Sequence, residues 1–361
     1  MARALAIIGM VMVHIGPVRA GGGGIAGAAY RAPHGRAAIL FIVLAGIGVS
    51  LLAGDRSAER LDRARLLLGW RALLLLPAGL ALQELDVNVA VILQYYALYF
   101  VVSAGLVRLS DRGLLVLAAV SALLGPVLVI LLTRAVPSWF VGGVPAWNDV
   151  DRIARDVLIS GYYPLVVWTA PLSVGIWLGR RELRSDAAAV RLVVLGGAAA
   201  ALGFVTSAAL TSVLGTAVSS VDWRQLAMVE PHNEMPLWVV TSTGIAVAAL
   251  GLCLVAAAWL PRPTWPLVAL GQLALTTYVA HLLVLHVWPQ WLQRPTYGAA
   301  WLSVARFTLV ALVLATAYRA VGTRGPLELL LRPSELLRTR RGRPADDGRD
   351  AEHVSGRPPD A

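Results

Sequence analysis

Ala37-Ala38-Ile39-Leu40-Phe41-Ile42-Val43-Leu44-Ala45-Gly46-Ile47-Gly48-Val49-Ser50-Leu51-Leu52-Ala53 runs without a charge and with one hydroxyl. A hydrocarbon core of about 30 Å takes roughly 20 apolar residues as a helix, and this run meets that scale. Comparable runs centre on Leu75, Tyr96, Leu117, Val167, Ala200, Ala246, Thr276 and Leu309, and Met1–Ile15 adds a shorter one. The pattern predicts an all-α, polytopic integral membrane helix bundle of about ten transmembrane helices. Composition agrees. Charged residues make up 14% of the 361-residue chain, against about 25% in an average soluble domain, and the mean hydropathy is +0.70.

Ten spans at roughly 20 residues each leave no room for a separate soluble domain before the tail. We therefore expect a transmembrane domain over residues 1–332 and a tail over 333–361. The tail is rich in Arg, Pro, Gly and Asp and nearly free of large apolar residues, so it is expected to be disordered. All 31 basic residues are Arg, and the net charge is +10. In a membrane protein this balance points to loops facing anionic lipid rather than to nucleic acid. The one cysteine, Cys253, excludes an intrachain disulfide and a cysteine-based metal site.

The arginines also sort by side. Arg3, the group from Arg56 to Arg71, Arg108, Arg112, Arg180, Arg181, Arg184, Arg191, Arg262 and the residues from Arg319 onward fall on one side, and fewer fall on the other. The positive-inside rule then puts both termini in the cytoplasm and the longer irregular loops, 16–36, 133–160 and 215–236, outside.

An ionisable group inside a membrane segment costs a few kcal/mol, so each one is a functional candidate. His14 closes the first segment and His34 opens the second; Tyr278, His281 and His286 lie in the ninth. Each also has a plainer use: His14 as a headgroup-level helix end, His281 in an interhelical bond, His286 at the interface. His34-Gly35-Arg36 starts a helix whose N–H groups could hold an oxyanion. Glu230, His232 and Glu234 suggest a metal cluster, but residues two apart on a helix point to different faces. We read them as a solvated loop in reach of substrate, with no metal.

Three stretches resemble the YeiB-type bacterial membrane proteins and their relatives, the heparan-α-glucosaminide N-acetyltransferases. Arg3-Ala4-Leu5-Ala6-Ile7-Ile8-Gly9-Met10 followed by His14 is similar to the family's opening helix. His34-Gly35-Arg36 with Leu40–Gly48 is similar to its second helix. Leu270-Gly271-Gln272-Leu273-Ala274-Leu275-Thr276-Thr277-Tyr278, closed by Arg324-Gly325-Pro326-Leu327-Glu328, resembles the YeiB-type C-terminal block. The resemblance implies a membrane acyltransferase of the bacterial cytoplasmic membrane. It would take an acetyl group from cytosolic acetyl-CoA to a sugar or similar envelope acceptor outside, using a far-side histidine. His34 and His14 are then the catalytic candidates, as proton acceptors or acetyl carriers. Tyr278, His281, Glu230 and His232 are expected to line the same substrate cavity.

CoA phosphates call for arginine, and Arg71, Arg180 and Arg181 are best placed. The expected partners are the bilayer, acyl-CoA and an envelope glycan or small-molecule acceptor, with a homodimer left open. The family's Asp would stand three residues before Arg3, so the spacing also predicts a start upstream of Met1. A metabolite transporter using the same buried polar groups is the alternative, and an envelope scaffold a third reading.

Overall fold

The computed structural model describes residues 1–17, 24–85, 87, 89–140, 149–322 and 324–333. All regular structure among them is helical: α1 (Ala2–Ile15), α2 (Gly24–Arg31), α3 (Arg36–Ala53), α4 (Ala58–Gln83), α5 (Leu93–Leu106), α6 (Asp111–Ala135), α7 (Val150–Arg155), α8 (Leu165–Leu178), α9 (Asp186–Leu214), α10 (Pro236–Trp259), α11 (Pro261–Gln272), α12 (Ala274–Val287), α13 (Pro289–Leu292), α14 (Tyr297–Val321) and α15 (Pro326–Leu330). Short side chains start the long helices. Ser110 accepts from the Gly113 N–H at 3.1 Å and Ser185 from the Ala188 N–H at 3.2 Å, while Pro236 and Pro261 open α10 and α11. The tail after residue 333 lies outside the described residues.

The expected ten spans resolve differently. Six helices are long and apolar enough to cross a membrane: Gly24–Ala53 taken as one, α4, α6, α9, α10 and α14. Two more are broken pairs, Val150–Ser160 with α8, bent by 57°, and α11 with α12, bent by 69°. The remaining two, α1 and α5, are apolar but have only 14 residues each. At 1.5 Å per residue each is about 21 Å long, short of the bilayer core. Six to eight candidate spans thus replace the ten.

The candidate spans differ in burial. In α14 and α9 only 22% and 28% of the apolar window is buried, against 61% for Gly24–Ala53. The long helices therefore form a periphery, and α3 lies inside. The short α1 is also interior: Ala4, Ile7, Met10, Val11 and Ile15 are all nearly inaccessible. It packs against α3, α11, α12 and α14.

Close backbone approach holds this arrangement together, as small residues allow where no hydrophobic effect separates helix from lipid. Gly46 of α3 faces the Leu172 carbonyl and Ile176 nitrogen of α8, and a Cβ there would lie 2.7 Å from that nitrogen. Gly175 of α8 reciprocates against Val43. The same device joins α9 to α10, where a Cβ on Gly196 would lie 2.6 Å from the Gly244 oxygen. Gly175→Val should therefore force α3 and α8 apart and cost at least the ~1–3 kcal/mol typical of overpacking. Thermal unfolding in detergent, followed by size-exclusion chromatography, should show a lower midpoint and earlier aggregation than for Gly197→Val, whose position has open space.

Candidate functional site

One end of α1 opens into a cavity of about 1470 Å³. His14 comes from the last turn of α1, His34 from the α2–α3 junction, and Glu230 and His232 from the loop before α10. His34 is positioned by its neighbour. Gly35 has φ +72°, a conformation that L side chains rarely adopt, and a Cβ there would lie 2.8 Å from the buried Trp238 ring and 3.3 Å from the His232 nitrogen. The loop before α10 thus rests directly on the start of α3. His34 is 3% exposed, and neither of its ring nitrogens makes a hydrogen bond of good geometry; the Arg31 carbonyl is the near acceptor. At the start of α3, the Ala37 and Ile39 N–H groups are already bonded to the Pro33 and Gly35 carbonyls, which weakens the oxyanion reading of that helix start.

The loop is exposed at Glu230 and Pro231 and half-buried from His232 to Glu234. His232 and Glu234 have φ +59° and +57°, unusual for side chains of this size. Asn233 secures the turn by donating to the Met228 carbonyl at 3.1 Å and accepting from the Met235 N–H at 3.2 Å. The result sets the half-buried Glu234 against Trp168, whose Nε1–H donates to Oε1 at 3.0 Å. Burial pushes the Glu234 carboxyl well up, the Trp168 bond only partly offsetting it. Burial, with His34 nearby, pushes His232 down to about 4, so its imidazole is neutral near pH 7.

His14 is tied across the bundle. Its Nδ1 lies 2.8 Å from Nε2 of the fully buried His281 on α12, with the rings stacked at 15°. The Thr277 and Tyr278 carbonyls lie near the His281 ring, although its Nδ1 makes no hydrogen bond of good geometry among the described residues. With the His281 proton on Nδ1, His281 Nε2 accepts from His14 Nδ1–H. The bare lone pair of His14 is then on Nε2. One turn back along α12, Tyr278 tilts its ring over His281 at 5.0 Å and accepts the Ile92 N–H at 3.2 Å.

Tyr278 does not face the histidine cavity as expected. It lines a second cavity of about 540 Å³ at the opposite end of α1, together with Arg3, Arg71, Arg319, Arg324, Arg332 and Glu328. Arg71 stands over the Phe100 ring at 5.8 Å, with a buried Nε that has no hydrogen-bond partner among the described residues. Arg180 and Arg181 are not in this lining. Arg180 bonds Asp111 at 2.8 Å and the Leu109 and Val107 carbonyls, and Arg181 bonds Asp111 at 2.6 Å. They anchor the α8 end to α6. Arg3, Arg319, Arg324 and Arg332 were missed as a group because they come from the two ends of the sequence; only the family-like blocks around Arg3 and Arg324 pointed to them.

The two cavities nearly meet. On α1, Ile7 and Met10 line the arginine cavity and Val13 and His14 the histidine cavity; Ile92 and Ala90 divide in the same way. Three residues of rise make the partition about one helical turn, roughly 5 Å, thick. Among the described residues no group of three or more His, Cys, Asp or Glu could hold a metal ion.

The fold and site define a polytopic helical membrane protein with two cavities, one rich in histidine and one in arginine, backed against a single partition. Residues 1–210 match the family described as heparan-alpha-glucosaminide N-acetyltransferase, catalytic, and the chain belongs to that family. The family favours membrane acetyl transfer over the transport alternative. A search of curated proteins finds no match.

The loop has opposite pH signatures at His232 and Glu234. An unfolded histidine takes up a proton near pH ~6.5, whereas folded His232 does so only near 4. The unfolded state binds more protons in that window, so stability falls as pH drops through it. For Glu234 the folded chain keeps the proton after the unfolded carboxyl ionises near ~4.3, so stability falls as pH rises beyond that value. His232→Asn should flatten the acid-side loss and Glu234→Gln the alkaline-side loss, as read by thermal unfolding in detergent between pH 4 and 8. An unchanged alkaline slope in Glu234→Gln would mean that the carboxyl is ionised in the folded protein.

Proposed function

We propose that this protein transfers an acetyl group from acetyl-CoA, bound at the arginine cavity, to an amine or hydroxyl in the histidine cavity. The single observation that carries the reading is the partition one helical turn thick, with His14 on one side of it and the five-arginine cavity on the other. A polyanionic donor suits Arg71, Arg319 and Arg324, since guanidinium binds phosphate oxygens bidentately. The positive-inside argument gives that end a cytosolic supply of donor. It leaves the histidine cavity facing the envelope of a bacterial cytoplasmic membrane.

The chemistry asks for a base beside the acceptor. His14 Nε2 takes the proton from the acceptor nitrogen or oxygen as that atom attacks the thioester carbonyl. The carbonyl carbon then releases the CoA sulfur, which leaves as thiolate and receives a proton. His281 Nε2 accepts from His14 Nδ1–H throughout and stabilises the imidazolium that forms, as the orienting partner in other base-assisted transfers does. His34 and His232 act from the facing walls as positioning residues for the acceptor.

Two measurements test this on purified protein in detergent, where no gradient exists. His14→Ala should lower acetyl transfer, followed as CoA release with an amine or hydroxyl acceptor, by about 10²–10⁴-fold. It should leave acetyl-CoA binding intact. Arg71→Ala should weaken acetyl-CoA binding by about tenfold, the size of one lost charge-assisted contact, whereas Arg181→Ala should not. Turnover that requires sealed vesicles would replace catalysis with transport.

A further inference from the structure

The histidine cavity is not closed toward the side of the bundle. Its wall includes Phe204 of α9 and Ala28 and Ala32 beside the α2–α3 junction. Phe204 is 41% exposed, and its neighbours Leu202 and Val205 are 67% and 66% exposed. One residue earlier, Gly203 is buried against Thr241 of α10. Phe204 therefore sits at the seam between the face α9 packs on α10 and the face it turns to lipid. It lies ten residues before the α9 end at Leu214, about 15 Å along the helix. Phe204 thus lies along the length of a candidate span, away from its end. A cavity wall shared with the lipid-facing side of a spanning helix is a lateral window.

Positive charge prevails among the described residues at this window. Arg31, Arg36 and Arg294 line the cavity, and Glu230 is the one acid among its described lining residues. Arg31 is committed to the Tyr297 hydroxyl at 2.6 Å, and the Arg294 guanidinium to carbonyls of its own turn. Arg36 gives one N–H to the Ala32 carbonyl at 2.9 Å and holds its guanidinium 5.8 Å over the Phe204 ring. Its Nε is buried and has no hydrogen-bond partner among the described residues. The same side chain stands two residues from His34.

We infer that the acceptor is membrane-borne: an amphiphile with an anionic, phosphate-bearing headgroup that enters sideways between the α2–α3 junction and α9. The Arg36 guanidinium binds the headgroup phosphate at the window, Phe204 and the adjoining apolar wall take the start of the chain, and the headgroup's amine or hydroxyl reaches His14 and His34. Lipid entry fits the position of the window, and charge complementarity fits the headgroup. The role given to the headgroup rests on the acetyl-transfer reading; the binding does not.

The test is therefore a binding measurement. Native mass spectrometry of the full chain, taken from mixed micelles of dioleoyl phosphatidylglycerol and dioleoyl phosphatidylcholine, compares lipids that differ only in headgroup. The wild type should retain phosphatidylglycerol about tenfold over phosphatidylcholine, the size of one charge-assisted contact. Arg36→Gln should bring the two to parity and Arg36→Lys should keep most of the preference. Ala32→Trp, which fills an exposed position on the window, should lower retention of both lipids, with acetyl-CoA binding unchanged in every variant as the measure of folding. Equal retention of the two lipids by the wild type, no response to Arg36→Gln, or competition by water-soluble glycerol 3-phosphate as strong as by the lipid would overturn the inference. Loss of acetyl transfer with these lipid results intact would instead count against the proposed activity alone.

Discussion

A helix that stops within the thickness of a membrane leaves amide and carbonyl groups that lipid cannot satisfy. This constraint organises the whole molecule, because α1, α5 and α12 are all too short to cross. Each of their inner ends is met by a specific protein group. At the end of α1, Tyr30 donates to the Met12 carbonyl at 2.7 Å and the Arg294 N–H to the Ile15 carbonyl at 2.9 Å. Before α5, the Val91 and Ile92 N–H groups find the Gln83 side chain at 2.8 Å and the Tyr278 hydroxyl at 3.2 Å. At the start of α12, the Glu328 carboxylate takes the Leu275 and Thr276 N–H groups at 2.7 and 3.1 Å and the Thr276 hydroxyl at 2.6 Å. The long helices around them keep lipid out, and the space beyond the short helices is what the two cavities occupy.

The cavities are consequently not decorations on a finished bundle. Shortening a central helix creates a vestibule at its end, and the residue that closes the helix becomes the residue that faces the vestibule. His14 is in the last turn of α1 for that reason, and Tyr278 and His281 are one turn apart on the face of α12 that runs beside it. Polar groups of opposite purpose can then stand a helical turn apart without sharing solvent. Acetyl transfer between compartments needs such a separation, since thioester and acceptor must meet while their bulk phases do not.

Much of this was legible beforehand. Apolar runs located every long helix, and the cost of ionisable groups in lipid singled out His14, His34 and His281 before any contact was known. The resemblance of the two opening blocks agrees with the family match over residues 1–210. Three things were not legible. Run length could not distinguish a span from a short interior helix, because α1 and α5 are as apolar as the true spans and differ in what surrounds them. Loop polarity indicated solvation, which Glu230 and Pro231 have, but not that Trp168 and Gly35, far away in sequence, half-bury His232–Glu234. Arginine position along the chain favoured Arg180 and Arg181, yet Asp111 claims both. The arginine cavity instead assembles from the first and last helices.

That assembly from opposite ends has a consequence for biogenesis. Glu328, which seats α15 on the start of α12, and Arg324 and Arg332 on either side of it, are among the last described residues to be synthesised. Domains fold as units while the ribosome is still extending the chain, but here the arginine cavity has no complete wall until α15 has emerged and docked. A nascent chain therefore carries His14 and His34 into the bilayer well before α15 can complete the wall of the arginine cavity.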